Sequence, residues 1–264
     1  MNVEYAEEKI KALKSDGARV IKNCFEQLNS PMNKDWKDYY TDKSALFIKP
    51  EYKVNRLLFF TADPIDLAQN AFHLLPSGEY RLDIITKDPS QLKNELEAFG
   101  AVLKARMMRI SAADVSDVFS ETSPLRVYFD KSVGRLAEPG DAPLIYDLLW
   151  KIFDTDISHL PSIDAVNASI ERKEFTLYKG DNGNISLLQA DIKPRSFYIN
   201  QVYNGNEKRI IHAMLLNRLS EYCSQGGKYA FAWVDENNTA SLKFHQKYKM
   251  KHDGLWDIVY KVII

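Results

Sequence analysis

Apolar and polar positions follow two periods along this chain, and the points where one gives way to the other mark out its elements. In the second half, Leu144, Ile145, Leu148, Leu149 and Ile152 recur at helical spacing behind Pro143, a residue suited to a first helical turn. SIDAVNASI predicts a second helix, with Ser162 as its N-cap. Two strand-like runs, EFTLYKG and ISLLQADI, flank Asn182 and Gly183, a pair that takes positive φ at low cost and predicts a hairpin. In SFYINQVY, Phe197, Ile199 and Gln201 alternate with Tyr198, Asn200 and Val202, and bulk on both faces predicts a central strand. From Glu207 the period becomes helical. Ile211, Met214, Leu215, Arg218, Leu219 and Tyr222 share a face, and Gly226 and Gly227 close the helix. The strand KYAFAWV follows, then a helix with Ala240, Phe244 and Tyr248 four residues apart, then the strand DGLWDIVYKVI.

The first half alternates as well. RLLFFTA, YRLDIITK and AVLKARMMRIS read as strands, and PIDLAQNAFHLL and PSQLKNELEAFG as helices, an α/β arrangement. LKNELEAFG before a strand echoes LKFHQKYKM before a strand, which predicts a degenerate tandem copy. With 264 residues the chain exceeds one average domain. Two prolines and a glycine fall between Ala137 and Pro143, opposing helix and strand alike, so a linker is expected there, with domains at 1–138 and 139–264.

Composition narrows the function classes. Hydrophobic residues are 45% and charged residues 27%, a globular balance with enough apolar material for a core. The formal net charge is −1 with both signs interspersed, so no global field draws in nucleic acid or an anionic membrane. MNVEYAEEKIKALKSDG is charged where a secretory segment would be apolar, and no run approaches the ~20 apolar residues of a membrane helix, so a cytoplasmic location is expected. Cys24 and Cys223 lie far apart and outside any CxxC pair, as reduced core thiols would. His245 and His252 have no ligand pattern around them, so no metal is expected, and GxSxG, GxGxxG and Walker motifs are absent. The pairs Tyr39, Tyr40 and Met107, Met108 suit core packing or a pocket wall rather than chemistry.

The stretch VDENNTASLKFHQKYKM makes a resemblance residue-specific. A strand ending in Val234 is followed by Asn238, Ala240, Phe244, His245, Lys249 and Met250, which fall without a gap on a pattern of Asn, a small residue, an aromatic, Tyr and Gly-Phe. Together with the order of elements from Pro143 onward, this resembles the Gcn5-related N-acetyltransferase (GNAT) family over the second half. The resemblance implies two GNAT-like domains, each a mixed, mostly antiparallel sheet flanked by helices, the first of them degenerate. It implies that SFYINQVY parts from KYAFAWV and offers backbone groups of Asn200, Gln201 and Val202 to the pantetheine arm of acetyl-CoA or another acyl-CoA. It places the pyrophosphate at the helix starting near Glu207, and Asn238 in the signature beside the cofactor.

The chain departs from the family at that helix. Where the family has Arg or Gln, two variable residues, Gly, one variable residue and Gly or Ala, this chain has Glu207, Lys208, Arg209, Ile210, Ile211 and His212. Ile210 and His212 are expected to crowd the cofactor and Glu207 to repel it, with Lys208 and Arg209 in partial compensation. His245 replaces the tyrosine that protonates the departing thiolate, a task an imidazolium suits. Asp191 and His212 are candidate bases, and Asp154, Asp156 and His159 form a candidate substrate loop. The leading expectation is acyl transfer to a small-molecule amine. The alternatives are a non-catalytic binding protein with a decayed CoA site and a tRNA-dependent transferase, which would need a basic surface. The first half, lacking a phosphate-cradling loop, is expected to share the architecture, bind no CoA and wall the acceptor cleft with stretches such as KDWKDYY.

Overall fold

The computed structural model describes residues 1–15, 20–24, 35–51, 53–181, 183–205 and 207–264. The first half runs through α1 (Val3–Ser15), β1 (Ile21–Lys22), β2 (Lys37–Tyr40), β3 (Ser44–Glu51), β4 (Val54–Thr61), α2 (Pro64–Asp66), β5 (Glu79–Thr86), α3 (Lys93–Phe99) and β6 (Val102–Ala112). The second half runs through β7 (Arg135–Leu136), α4 (Ala142–Ile152), α5 (Ile163–Glu171), β8 (Phe175–Lys179), β9 (Ile185–Lys193), β10 (Ser196–Tyr203), α6 (Lys208–Ser224), β11 (Ala230–Asp235), α7 (Thr239–Gln246) and β12 (Lys251–Ile263). Both halves therefore repeat one succession: antiparallel strands, a helix, a parallel strand, a helix and a long final strand.

The chain forms two compact units, Met1–Met107 with Leu255–Ile264, and Met108–Gly254. This differs from the expected division at 138/139, and the reason lies in the final strands. The end of β12 belongs to the first unit and the end of β6 to the second, so each half of the chain completes the other half's unit. The expected linker is likewise a fixed part of the second unit. Asp141 is buried there, accepting Arg135 Nη1 at 2.7 Å, Arg135 Nη2 at 3.0 Å, Lys179 Nζ at 2.9 Å and the Glu138 amide at 3.0 Å. The prolines and the glycine between Ala137 and Pro143 shape a 3₁₀ turn over Pro139–Asp141 that leads directly into α4, as proline at a helix start allows.

In the first unit the strand order is β2-β3-β4-β5-β12. β3 and β4 form an antiparallel hairpin from Ser44↔Thr61 to Glu51↔Val54, and β12 lies antiparallel to β5. Successive side chains of a strand point to opposite faces, so the apolar runs SALFI and LLFF feed two cores at once. Ala45, Phe47, Leu58 and Phe60 pack under Ala6, Ile10 and Leu13 of α1. Leu46, Ile48, Leu57 and Phe59 pack with Leu67, Ala71, Phe72 and Leu96 on the other side. Trp36 of KDWKDYY is buried in the α1 core rather than lining a cleft.

In the second unit the order is β6-β11-β10-β9-β8-β7. α4 and α5 cover β8 and β9 through Ile145, Leu149, Val166 and Ile170. α6 covers the other face, against Leu188, Ala190, Phe197, Ile199, Ala230 and Ala232. The residues expected on one face of α6 are all buried, and Ile210, His212, Ala213 and Leu216 join them, so this helix is enclosed nearly all round. The β8–β9 hairpin is present, with Gly183 at φ 79°; Asn182 lies outside the described residues. Ser162 caps α5 by accepting the Ala165 amide at 3.2 Å.

Candidate functional site

The parallel pair β10–β11 holds register at Phe197↔Ala230, Tyr198↔Phe231 and Ile199↔Ala232 and then ends, while β10 continues to Tyr203 and β11 to Asp235. β10 remains bonded to β9 over Gln201↔Gln189, Val202↔Leu188 and Tyr203↔Leu187, so only its opposite edge lacks a strand partner among the described residues. A register shift between Ile199 and Gln201 places Asn200 in a bulge, which bends β10 where the strands separate. The structure thus brings Asn200, Gln201 and Val202 to one open edge. Asn200 is exposed, Val202 half-buried, and Gln201 buried with its Oε1 unpartnered among the described residues. A strand edge of this kind bonds an extended chain of amides, and a buried lone acceptor such as Oε1 calls for a donor.

Gly205 joins β10 to α6. It lies so close to β9 that an added Cβ would sit 2.1 Å from the Ile185 carbonyl oxygen, and its amide donates to Ser186 Oγ at 3.0 Å. Glu207 takes the N-cap position of α6 and makes no side-chain cap bond among the described residues. Lys208 and Arg209 are exposed, whereas Ile210, Ile211 and His212 are buried. The helix turns Ile210 and His212, the positions expected to crowd a ligand, inward. The His212 ring stacks at 4.8 Å on Tyr128 and at 4.8 Å on Phe244, and its Nδ1 lies 2.8 Å from the Tyr248 hydroxyl. Burial, with Lys247 Nζ 3.4 Å from Nε2, lowers its pKa to about 4, so it is neutral near pH 7. The outward part of the first turn offers backbone N–H groups and two cations, with Glu207 beside them and Asp130 acting electrostatically on Arg209.

α7 opens on Asn238, whose side chain accepts the Ser241 amide at 3.0 Å; this residue acts here as a helix cap. The surroundings of His245 bear on its expected acid role. It is 3% exposed, its Nδ1–H donates to the Ser241 carbonyl at 2.8 Å, and its Nε2 is buried without a partner among the described residues. Burial lowers its pKa to about 4, against the raising effect of the Ser241 carbonyl. A neutral ring whose one N–H is engaged is a poor proton donor to a thiolate near pH 7. Lys249, at the signature's glycine position, has φ 60°, and Met250 at its Phe position is buried. The left-handed turn is therefore kept without glycine, at a cost of about 1 kcal/mol.

Asp191 pairs with Lys193 Nζ at 2.7 Å, and Asp154 accepts the Asp156 amide at 2.8 Å as a turn former. Trp150 Nε1 donates to the Pro161 carbonyl at 3.0 Å, tying down the loop that carries His159. No group of three or more metal-ligating side chains occurs among the described residues. No described helix is long and apolar enough to cross a membrane. Gly205 and Tyr128 escaped the sequence reading. A glycine between a strand and a helix start was the available signal for the first; nothing local marks the second, whose partner His212 is far away in sequence.

No family model matches the chain, and no curated protein sequence matches it. Solved structures do. A Gcn5-related N-acetyltransferase from Sphaerobacter thermophilus is similar at TM-score 0.55 and 14% identity, over 84% of this chain and 76% of that one. A tandem GNAT protein from the clavulanic acid biosynthesis pathway is similar at TM-score 0.51 and 10% identity, over 97% of this chain and 95% of that one. Such identities speak for architecture alone. Taken with the succession of elements repeated in both halves and the parting of β10 from β11, they show that this chain has a tandem GNAT fold.

Proposed function

We propose that the second unit transfers an acyl group from an acyl-CoA, acetyl-CoA being the simplest, to a small amine. The observation that carries this reading is the open edge of β10 beyond the bulge at Asn200. Backbone groups of Asn200, Gln201 and Val202 would hold the amides of the pantetheine arm, and a β10 N–H beside the thioester carbonyl would stabilise the developing oxyanion. The diphosphate end is served less well. It meets Lys208, Arg209 and the first N–H groups of α6, but with Glu207 beside them and Tyr128 and Phe244 stacked over the His212 face. Weak binding for the fold follows. The amine attacks the thioester carbonyl directly, the C–S bond breaks to release CoA as its thiolate, and solvent takes the amine's proton and protonates the thiolate, because Asp191 is paired with Lys193 and His245 is enclosed.

Titration calorimetry with acetyl-CoA, followed by thiol release against a panel of amines, tests this reading. Binding in the high micromolar to millimolar range and amine-dependent thiol release are expected, with tighter binding for Glu207→Arg. A second reading, a binding protein without turnover, is favoured by the neutral, enclosed His245 and the covered helix face. It would give binding heat and no thiol release with any amine. Absence of heat from both wild type and Glu207→Arg at millimolar ligand would remove both readings.

A further inference from the structure

The first unit repeats the parting of strands, and its own chain fills the gap. Among the described residues, β4 and β5 pair in parallel only at Asn55↔Tyr80 and Arg56↔Arg81, after which β4 continues to Thr61. The β4 edge beyond Arg56 corresponds in the fold to the open edge of β10. Here it is covered by Asn23. The Asn23 Nδ2 donates to the Leu57 carbonyl at 2.9 Å, the Phe59 amide donates to Asn23 Oδ1 at 2.6 Å, and the Asn23 amide donates to the Phe59 carbonyl at 3.2 Å. β1 extends the cover, pairing antiparallel at Lys22↔Phe60 and Ile21↔Thr61.

Two features fix this cover as an occupant rather than a passing contact. Asn23 is 7% exposed, and the next residue, Cys24, is 1% exposed in the core beneath α1. The chemistry of the contact is also specific. The Asn23 carboxamide presents one donor and one acceptor to successive outward groups of β4, as a secondary amide of an extended ligand would. The helix that follows β4 begins with Asp63 and Asp66, and Asp63 accepts the Ile65 amide at 3.0 Å, so the start of that helix suits no phosphate.

We infer that the first unit retains a groove for an extended amide chain of the pantetheine type, and that Ile21–Asn23 occupy it as a built-in pseudo-ligand, leaving the chain one donor site. The choice of ligand class rests on the donor reading of the second unit; the occupancy by Asn23 does not. An apolar bystander at position 23 would leave Leu57 O and Phe59 N–H without partners in a buried setting, which the sequence avoids by placing an amide there.

The test is amide NMR on the full chain, with unphosphorylated pantetheine as the probe. In the wild type, pantetheine is expected to shift amides of Asn200–Tyr203 and none of Leu57–Thr61. Asn23→Ala should speed exchange of the Phe59 amide about tenfold or more, because its acceptor is gone, and should bring pantetheine shifts to Leu57–Thr61. Asn23→Asp keeps an acceptor for Phe59 but cannot donate to Leu57, so it serves if the alanine variant does not fold, with smaller shifts at the same residues. Shifts at Leu57–Thr61 in the wild type, or none there in a folded variant whose Phe59 amide exchanges fast, would overturn the inference. Silence at Asn200–Tyr203 alone would instead sink the donor reading of the second unit.

Discussion

The His212 ring nitrogen Nδ1 lies 2.8 Å from the hydroxyl of Tyr248, tying the start of α6 to the second residue past the end of α7. His212 stands where the family's loop ends in a small residue, and the partners of its ring explain why the substitution is tolerated: Tyr128 and Phe244 stack on it and Tyr248 meets its polar edge. Replacing His212 by Gly would leave a cavity among aromatic rings rather than a seat for phosphate. A loss of about 3 kcal/mol in urea unfolding is expected, with no gain in acetyl-CoA affinity, and Tyr248→Phe should cost about 1 kcal/mol. Tighter cofactor binding by His212→Gly would show that the ring blocks the site.

Ile210 follows the same logic. It is 8% exposed within the α6 core, so Ile210→Gly loses packing and helix propensity together, about 3 kcal/mol or more. Glu207, half-buried at the N-cap, is the position where a charge change acts on a ligand without dismantling the core. Glu207→Arg should leave the urea midpoint within about 0.5 kcal/mol of wild type. A large stability loss there would contradict this placement.

Acid should weaken the fold through its two enclosed histidines. Both have folded pKa values lowered to about 4 from 6.5, chiefly by burial, so the unfolded chain takes up protons first as pH falls. Their contribution is fully present above pH 6.5 and is lost between 6.5 and about 4, amounting to about 3 kcal/mol for each histidine. Asp141, held well below the ordinary carboxylate range mainly by Arg135, adds a further loss below its usual range as the carboxylate is protonated. Urea midpoints measured from pH 8 to pH 4 should therefore be flat and then fall. A midpoint constant down to pH 5 would mean the histidines are solvated.

His245→Phe keeps the bulk and removes the buried lone Nε2. Turnover within a few-fold of wild type is expected, and the pH-rate profile should lack an imidazole inflection near pH 6.5, since the His245 pKa lies at about 4. A fall of about 10²-fold with unchanged acetyl-CoA binding would restore the acid role.

Asp141→Asn removes a charge that Arg135 and Lys179 both bind, and should cost about 2 kcal/mol. The same geometry bears on dissection of the chain. A fragment starting at Pro139 lacks β7 and the Met108–Ala112 end of β6, which belong to the second unit. It should give no cooperative unfolding transition, and a sharp transition would show that those strands are dispensable.

Much of the second half was legible because its periods are local. Proline, Ser162 and the alternation in SFYINQVY each fix an element within a few residues, and Asn238 to Met250 fix a family pattern. What escaped depends on distant partners. The exchange of final strands needs β12 to meet β5 across the whole sequence, and no local pattern announces it. The proline-rich stretch at 137–143 read as a linker because Asp141's partners, Arg135 and Lys179, are visible only after folding. His245 read as an acid because the pattern gives its position in α7 and says nothing of the enclosure that lowers its basicity. Asn23 lies outside every motif, and its meaning comes wholly from Leu57 and Phe59.

The proposed donor site stands or falls on the open edge of β10, which amide NMR during titration with acetyl-CoA reads directly. Asn200, Gln201 and Val202 are expected to shift and gain exchange protection as ligand is added, with smaller changes at Lys208 and Arg209 and none at Leu57–Thr61. Saturating acetyl-CoA that leaves Asn200–Val202 unchanged, or that perturbs the first unit instead, would contradict it.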